Sequence, residues 1–193
     1  VEPATEVPAA EGVFSVMFAG NMGDAQDFPA ILDAAEIVKE EQNIRWLIVG
    51  DGRMTEWVKA EVERRGLGKS FLLLGRHPVE RMPSFYKHAD ALLMSLQDKP
   101  IFAMTIPGKL QSYLAAGIPV LAMLNGEGAD IVRRCGAGLA CPAGDGRALA
   151  AAVRELAGRQ RHELMAMGAR GAALSQAEFD RATLISRLLS AFT

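Results

Sequence analysis

The sequence predicts an α/β domain, a parallel sheet of about six strands covered by helices on both faces. Three observations predict it. Short apolar runs begin at intervals of ~20 to 30 residues. Between them, apolar residues recur at the spacing of an amphipathic helix. Most of the runs stop at or near a glycine, where the chain must turn before the next helix.

Residues 13–19 form the first strand, which ends at Gly20. Phe28, Ile31, Leu32, Ala35 and Val38 then define a helix, and Pro29 fits its first turn. A second strand, 46–49, stops at Gly50-Asp51-Gly52, and Trp57, Val58 and Val62 mark a helix ended by Gly66. Strand 71–74 precedes a helix over 78–88 carrying Met82, Phe85 and Tyr86, and strand 91–94 follows. A short helix over 109–116 is closed by Gly117, and Ile118-Pro119 leads into strand 120–123. Helix 127–134, a short strand 138–140 and a helix over 146–156 complete the alternation. The end breaks the rhythm, because 160–174 and 178–192 read as two successive helices. Either both cap the sheet edge, or the last one, with Phe179, Leu184, Leu188 and Phe192, lies at a boundary with another domain.

With 193 residues, 50% of them hydrophobic and 23% charged, the chain is long enough to bury a core without disulfides or metals. Residues 12–193 read as one domain. Residues 1–11 (VEPATEVPAAE) are rich in Pro, Ala and Glu and read as a linker or N-terminal extension. With Val rather than Met in first place, the sequence reads as a domain of a longer protein. The 21 basic and 23 acidic side chains leave a net charge of -2, and no basic stripe marks a nucleic-acid partner. Cys135 and Cys141 form no disulfide framework or thiolate metal site and suit a reducing compartment. No apolar run approaches the ~20 residues of a spanning helix, and no stretch of this sequence reads as a signal peptide.

Chemistry is concentrated in the loops. In an open parallel sheet, ligands bind beyond the carboxyl ends of the strands, where the strand order reverses. Gly20-Asn21-Met22-Gly23 lies there, after a strand and before a helix. Its glycines let backbone approach an anion, although it is neither a dinucleotide fingerprint nor a P-loop. Gly50-Asp51-Gly52 repeats the theme after the second strand. The segment KPIFAMTIPGKLQSYLAAG, residues 99–117, then places Lys109 in the first turn of a helix. A cation there opposes the helix dipole, a conflict that a bound diphosphate would remove. The other reading is a solvated surface lysine.

Further candidates keep two readings each. Ser112, one turn on, either bonds a sugar hydroxyl or bonds back to its own helix. Glu127, after Asn125-Gly126, is either a dipole partner or a carboxylate aimed into the cleft. Arg76 could stack on a base or pair with phosphate, whereas His77-Pro78 reads as a helix start. His77, His88 and His162 have no metal-ligand spacing, and no serine sits in a nucleophile elbow.

Six blocks in order carry a resemblance over roughly residues 13–156: FAGNMG, VGDG, LLGR, ADALLMSL, IPGKLQSYLAAGIPVLA and GAGLACPAGD. The chain resembles the C-terminal, nucleotide-sugar-binding half of the retaining GT-B glycosyltransferases of group 1, also called family 4, of the bacterial surface-polysaccharide type. The resemblance implies a Rossmann-like domain that binds a nucleoside diphosphate sugar, a UDP-sugar foremost, without metal or other cofactor. It implies a separate N-terminal domain holding a saccharide or lipid-carrier acceptor, and a cytoplasmic enzyme with peripheral contact at the inner face of the membrane. A GT-B-type UDP-sugar epimerase and a non-catalytic association module are the alternatives.

By that pattern Gly20, Asn21, Met22 and Gly23, with Gly50, Asp51 and Gly52, approach diphosphate and sugar. The stretch from Arg76 and His77 to Met82 borders the base. Thr105, Ile106, Pro107, Gly108, Lys109 and Leu110 face sugar and diphosphate, with Lys109 the catalytic cation, and Ser112 and Glu127 lie near ribose. Two departures stand out. Where many relatives carry two glutamates this chain has Met104 and Ser112, and where many carry an arginine and a lysine after the first strand it has Asn21 and Gln26. Lys109 is then the substitute source of positive charge.

Overall fold

The computed structural model describes residues 1–41 and 43–179. Six parallel strands, β1 (Phe14–Ala19), β2 (Ile44–Val49), β3 (Phe71–Gly75), β4 (Ala91–Ser95), β5 (Val120–Met123) and β6 (Gly138–Cys141), lie in the order β3-β2-β1-β4-β5-β6. The helices are α1 (Phe28–Ile37), α2 (Thr55–Arg64), α3 (Met82–Tyr86), α4 (Pro100–Ala103), α5 (Gly108–Ala115), α6 (Glu127–Cys135), α7 (Gly146–Ala157) and α8 (Arg161–Leu174). A π-type turn, Ser175–Phe179, follows α8. The expected final helix lies, beyond Phe179, outside the described residues.

Each strand of the sheet centre is buried along its whole length because each of its faces meets helices. On one side Val16, Phe18, Ile48 and Leu93 pack with residues of α1, α2 and α7. On the other Met17, Ala19, Leu47 and Leu92 pack with residues of α3, α5 and α6. This two-sided burial is why the strand sequences are continuously apolar.

Strand order reverses beside β1, and the pairing shows where. The β1–β2 register runs from Phe14↔Ile44 to Ala19↔Val49, but β1 pairs with β4 only at Val16↔Ala91 and Met17↔Leu92. Past Met17 the two strands part, leaving the backbone of Ala19 without a strand partner on that side. The buried Tyr113 hydroxyl fills the gap, accepting from Ala19 N–H at 3.0 Å and donating to Ala19 O at 3.1 Å. Helix α5 is thereby fixed against the carboxyl end of β1.

Three segments differ from the sequence expectation, one of them α4, a helical turn at Pro100–Ala103 where no helix is expected from the sequence. The helix expected over 78–88 is a 3₁₀ turn, Val79–Arg81, followed by the short α3, because Pro83 withholds a backbone donor in the first turn. Residues 1–8 do not run free over the surface. Ala4 and Val7 are buried, Ala4 N–H donates to Ser84 O at 3.1 Å, and Arg45 Nη1 donates to Pro8 O at 2.6 Å.

A carboxylate clasp completes this N-terminal strap, with Glu6 gripping the Arg81 guanidinium through both oxygens. The Arg81 hydrogen bonds hold the Glu6 carboxyl down at about 2. A depressed carboxylate pKa means that the contact is whole above the ordinary value and is lost as pH falls through about 2. An NMR titration should show the Glu6 side-chain carbonyl changing near that pH, and returning to about 4.3 in Arg81→Gln.

Candidate functional site

Glycine is required where β1 and β2 end. Gly20 and Gly50 both have φ of +144°, a region that residues with a Cβ rarely adopt. They also touch: a Cβ on Gly50 would fall on the carbonyl of Gly20, and one on Gly20 would fall on Lys109 Nζ. Adjacent loops therefore lie backbone against backbone, with Lys109 laid across the first. Met22 N–H donates to Asp51 O at 2.7 Å, and Met54 N–H to Met22 O at 2.9 Å, which locks the two loops together. Among the described residues the backbone N–H groups of Asn21 and Asp51 have no acceptor.

These loops form one wall of a cleft of about 1050 Å³ at the carboxyl ends of β1, β2 and β3. The other walls are Arg76 and His77 after β3, Pro78, Val79, Met82, Pro83 and Tyr86 around α3, and Lys109 and Ser112 of α5. The cleft is largely apolar, with its polar groups at the floor and rim.

Lys109 is the decisive floor group. Its Nζ sits 4.4 Å from the centroid of the buried Phe18 ring. The ring face offers a cation–π contact worth about 0.5–2 kcal/mol, which replaces only part of the lost water. Among the described residues no carboxylate or hydrogen-bond acceptor pairs with it. Desolvation lowers its pKa to about 8. Arg76, exposed at the rim, also has no ion pair among the described residues, so the cleft holds two unpaired cations against the single carboxylate of Asp51.

The remaining polar groups are already occupied or left free in a definite way. His77 Nε2 lies 3.0 Å from Leu74 O, which can only accept, so Nε2 carries the proton and Nδ1 faces Arg81. The exposed Ser112 hydroxyl makes no bond back to its helix among the described residues and is free toward the cleft.

The profile of the glycosyl transferases group 1 family matches residues 13–159. The chain belongs to this family. It is 29% identical over 157 residues to the probable glycosyltransferase WbjE of Pseudomonas aeruginosa, covering 80% of this chain and 38% of that protein. The fold matches Anabaena Alr3699/HepE in complex with UDP, with a TM-score of 0.76 at 17% identity over 93% of this chain and 49% of that one. HepE has also been solved with UDP-glucose. The C-terminal domain of LpcC, a glycosyl transferase group 1 family protein of Francisella tularensis, gives 0.71 at 14% identity over 93% and 96% of the two chains. The chain thus spans 38% of WbjE and about half of HepE. The α/β, Rossmann-like architecture expected from sequence is the fold of these GT-B neighbours.

Within this group 1 domain the cleft gathers Gly20, Asn21, Gly50, Asp51, Arg76, His77, Met82, Lys109 and Ser112 of the sequence candidates. It does not gather the rest. Gly23 and Gly52 lie behind the lining, their N–H groups donating to Gln26 Oε1 at 3.0 Å and Thr55 Oγ1 at 2.9 Å. The Met22 and Leu110 side chains are core residues, 1% and 0% exposed, and stand outside the lining. Thr105 bonds back to Ile101 O and Phe102 O, and Ile106, Pro107 and Gly108 stand outside the lining. Glu127 pairs with Arg134 along α6 at 2.8 Å in the first turn, where a carboxylate suits the helix dipole, and stands outside the lining.

Sequence reasoning missed Phe18 beneath the ammonium and the part of the wall made by Pro83 and Tyr86, whereas Pro78 and Val79 fall inside the stretch from Arg76 to Met82 expected at the base. Phe18 reads only as a strand residue. The wall residues carried a signal, since Pro78 and Pro83 bracket a stretch that no continuous helix could occupy.

Proposed function

We propose that this domain binds the donor of a glycosyltransferase, a UDP-sugar. The enzyme containing it then moves the sugar, with retention, to a saccharide or lipid-linked acceptor held by a second domain. One observation carries the reading: an unpaired ammonium is fixed over Phe18 and against Gly20, at the point where β1 and β4 part. An anion completes that arrangement. The UDP and UDP-glucose complexes of HepE support a uridine diphosphate as that anion.

In this reading the diphosphate lies over Gly20 and Gly50, where the Asn21 and Asp51 N–H groups are open, and Lys109 bonds an oxygen bridging toward the sugar. As the glycosidic carbon–oxygen bond breaks, negative charge grows on the leaving diphosphate. Lys109 and Arg76 offset it in a site whose apolar walls keep the interaction strong. Ser112 offers its free hydroxyl to ribose, and the apolar wall of Val79, Met82 and Tyr86 takes the base. Lys109 is the group in direct contact with the leaving group. No step needs a metal, and the intact enzyme works at the cytoplasmic membrane face.

The exposed apolar side chains Ile101, Met104 and Ile106, 61%, 75% and 41% exposed, favour a second reading as an association surface. Calorimetric titration with UDP separates the two. UDP should bind at least about tenfold more tightly than uridine, because charge-assisted bonds to the diphosphate add about 1.5–3 kcal/mol each. Above pH 8 the free-state ammonium is lost, so affinity should fall about tenfold per pH unit between 8.5 and 9.5. Absence of saturable UDP binding, or equal affinity for uridine, overturns the donor reading and leaves the association surface.

A further inference from the structure

We propose that Lys109 is a modification site, acylated directly by small acyl phosphates that the cleft collects, and that this acylation closes the donor site. The proposal rests on the diphosphate reading of the cleft and adds a regulation to it.

The geometry provides the two things such a reaction needs. The first is a nucleophile with an open path. The other five lysines, Lys39, Lys59, Lys69, Lys87 and Lys99, are exposed. Lys109 is half-buried but lines the cleft, and no carboxylate among the described residues holds its ammonium. The second is an anchor for the phosphate of the reagent. Arg76 stands at the same rim without an ion pair among the described residues, and the Asn21 and Asp51 N–H groups are open at the same loops. A ligand of the size of acetyl phosphate fits a cleft of about 1050 Å³ many times over.

The step balances without a further reactant. The lone pair of neutral Nζ attacks the acyl carbon. The bond from that carbon to the phosphate oxygen breaks, and phosphate leaves with its electron pair. The nitrogen gives up a proton to solvent, and the product is a neutral amide. The amide has no charge for the diphosphate and is longer than the amine, in a place where Gly20 and Phe18 already touch the Nζ.

The rate advantage follows from the desolvated amine. At pH 7.5 about a quarter of a group held near 8 is neutral, against about one part in a thousand of an ordinary lysine. Lower basicity reduces nucleophilicity with a Brønsted slope taken as about 0.4–0.5, the thiol value, which gives back roughly a factor of ten. The net expectation is acylation about tenfold faster than at an exposed lysine, before any gain from phosphate anchoring. Asp51, Arg76, His77 and Tyr86 are the other ionisable groups that line this cleft with the amine.

The experiment incubates the whole chain with acetyl phosphate at pH 7.5 and follows each of the six lysines by peptide mass spectrometry. A parallel series uses the N-hydroxysuccinimide ester of acetic acid, which has no phosphate. UDP binding is measured separately by calorimetry. The expected result is acetylation of Lys109 at least about tenfold faster than the median exposed lysine with acetyl phosphate, and a smaller preference with the neutral ester. Excess UDP or inorganic phosphate should suppress it, and the acetylated protein should bind UDP as weakly as Lys109→Gln. Three results overturn the proposal: no preference for Lys109, the same preference with both reagents, or no protection by UDP in a protein that binds UDP. If UDP does not bind but inorganic phosphate still protects Lys109, the donor reading fails and the acylation site stands.

Discussion

Replacing Lys109 by methionine is expected to stabilise the free protein while weakening UDP binding by about 10- to 100-fold. The two effects share one cause. In the free protein the ammonium is half-buried, without a counter-charge, and its pKa is held at about 8. Between that value and the unfolded value of about 10.4 the unfolded chain binds the extra proton, so stability rises with pH in this window. Below pH 8 the whole penalty is present. Desolvation on this scale would cost a wholly buried ammonium roughly 3 kcal/mol; the solvent that still reaches this half-buried one and the Phe18 ring bring the net burden to about 1–2 kcal/mol at pH 7. Methionine keeps the length and the contact with Phe18 and removes the charge. Its melting temperature at pH 7 should exceed that of the parent by about 3–6 °C, and the difference should vanish near pH 10.5. A merely solvated lysine would give no change in either measurement. A lysine that supports the fold would give a loss in both.

The contrast between fold and site in the sequence has a physical origin. All six strands were legible, because burial on both faces leaves continuous apolar runs between helix-spaced segments. Tyr113 was readable as a core residue, being 0% exposed, but its hydroxyl could not be assigned to Ala19 before the gap between β1 and β4 was known. Leu110 shows the limit most plainly. It adjoins Lys109 in sequence, yet the rotation of one residue in α5 sends it to the core while Lys109 reaches Gly20. Met22 and Glu127 stand outside the cleft lining for similar reasons, since nearness to a loop does not fix the direction of a side chain. The N-terminal strap was hidden because its composition is that of a linker. Its buried apolar contacts are Ala4 and Val7, and two such small residues leave no periodic pattern, while its polar anchors to Ser84, Arg45 and Arg81 join residues far apart in sequence.

Gly50→Ala should be among the costliest single methyls added to this domain's loops, and Gly66→Ala is the control that shows why. Both glycines have positive φ, +144° and +67°. Alanine at Gly66 meets nothing within 4 Å, so the substitution carries only the left-handed backbone penalty of about 1–2 kcal/mol. At Gly50 the new methyl lies on the carbonyl oxygen of Gly20, which is backbone and cannot rotate away. The β1 and β2 loops must then separate. Separation strains the bonds from Gly20 N–H to Val49 O at 2.8 Å and from Met22 N–H to Asp51 O at 2.7 Å. The expected cost is about 3–5 kcal/mol, or a fall of about 8–15 °C in melting temperature. Moving Gly20 also withdraws the surface on which Lys109 rests, so UDP binding should disappear at temperatures where Gly50→Ala is still folded by circular dichroism. Gly66→Ala should lose a few degrees and keep the affinity of the parent. If Gly50→Ala retains UDP binding, the contact between these two loops does not build the anion site, and Lys109 acts independently of the backbone beneath it.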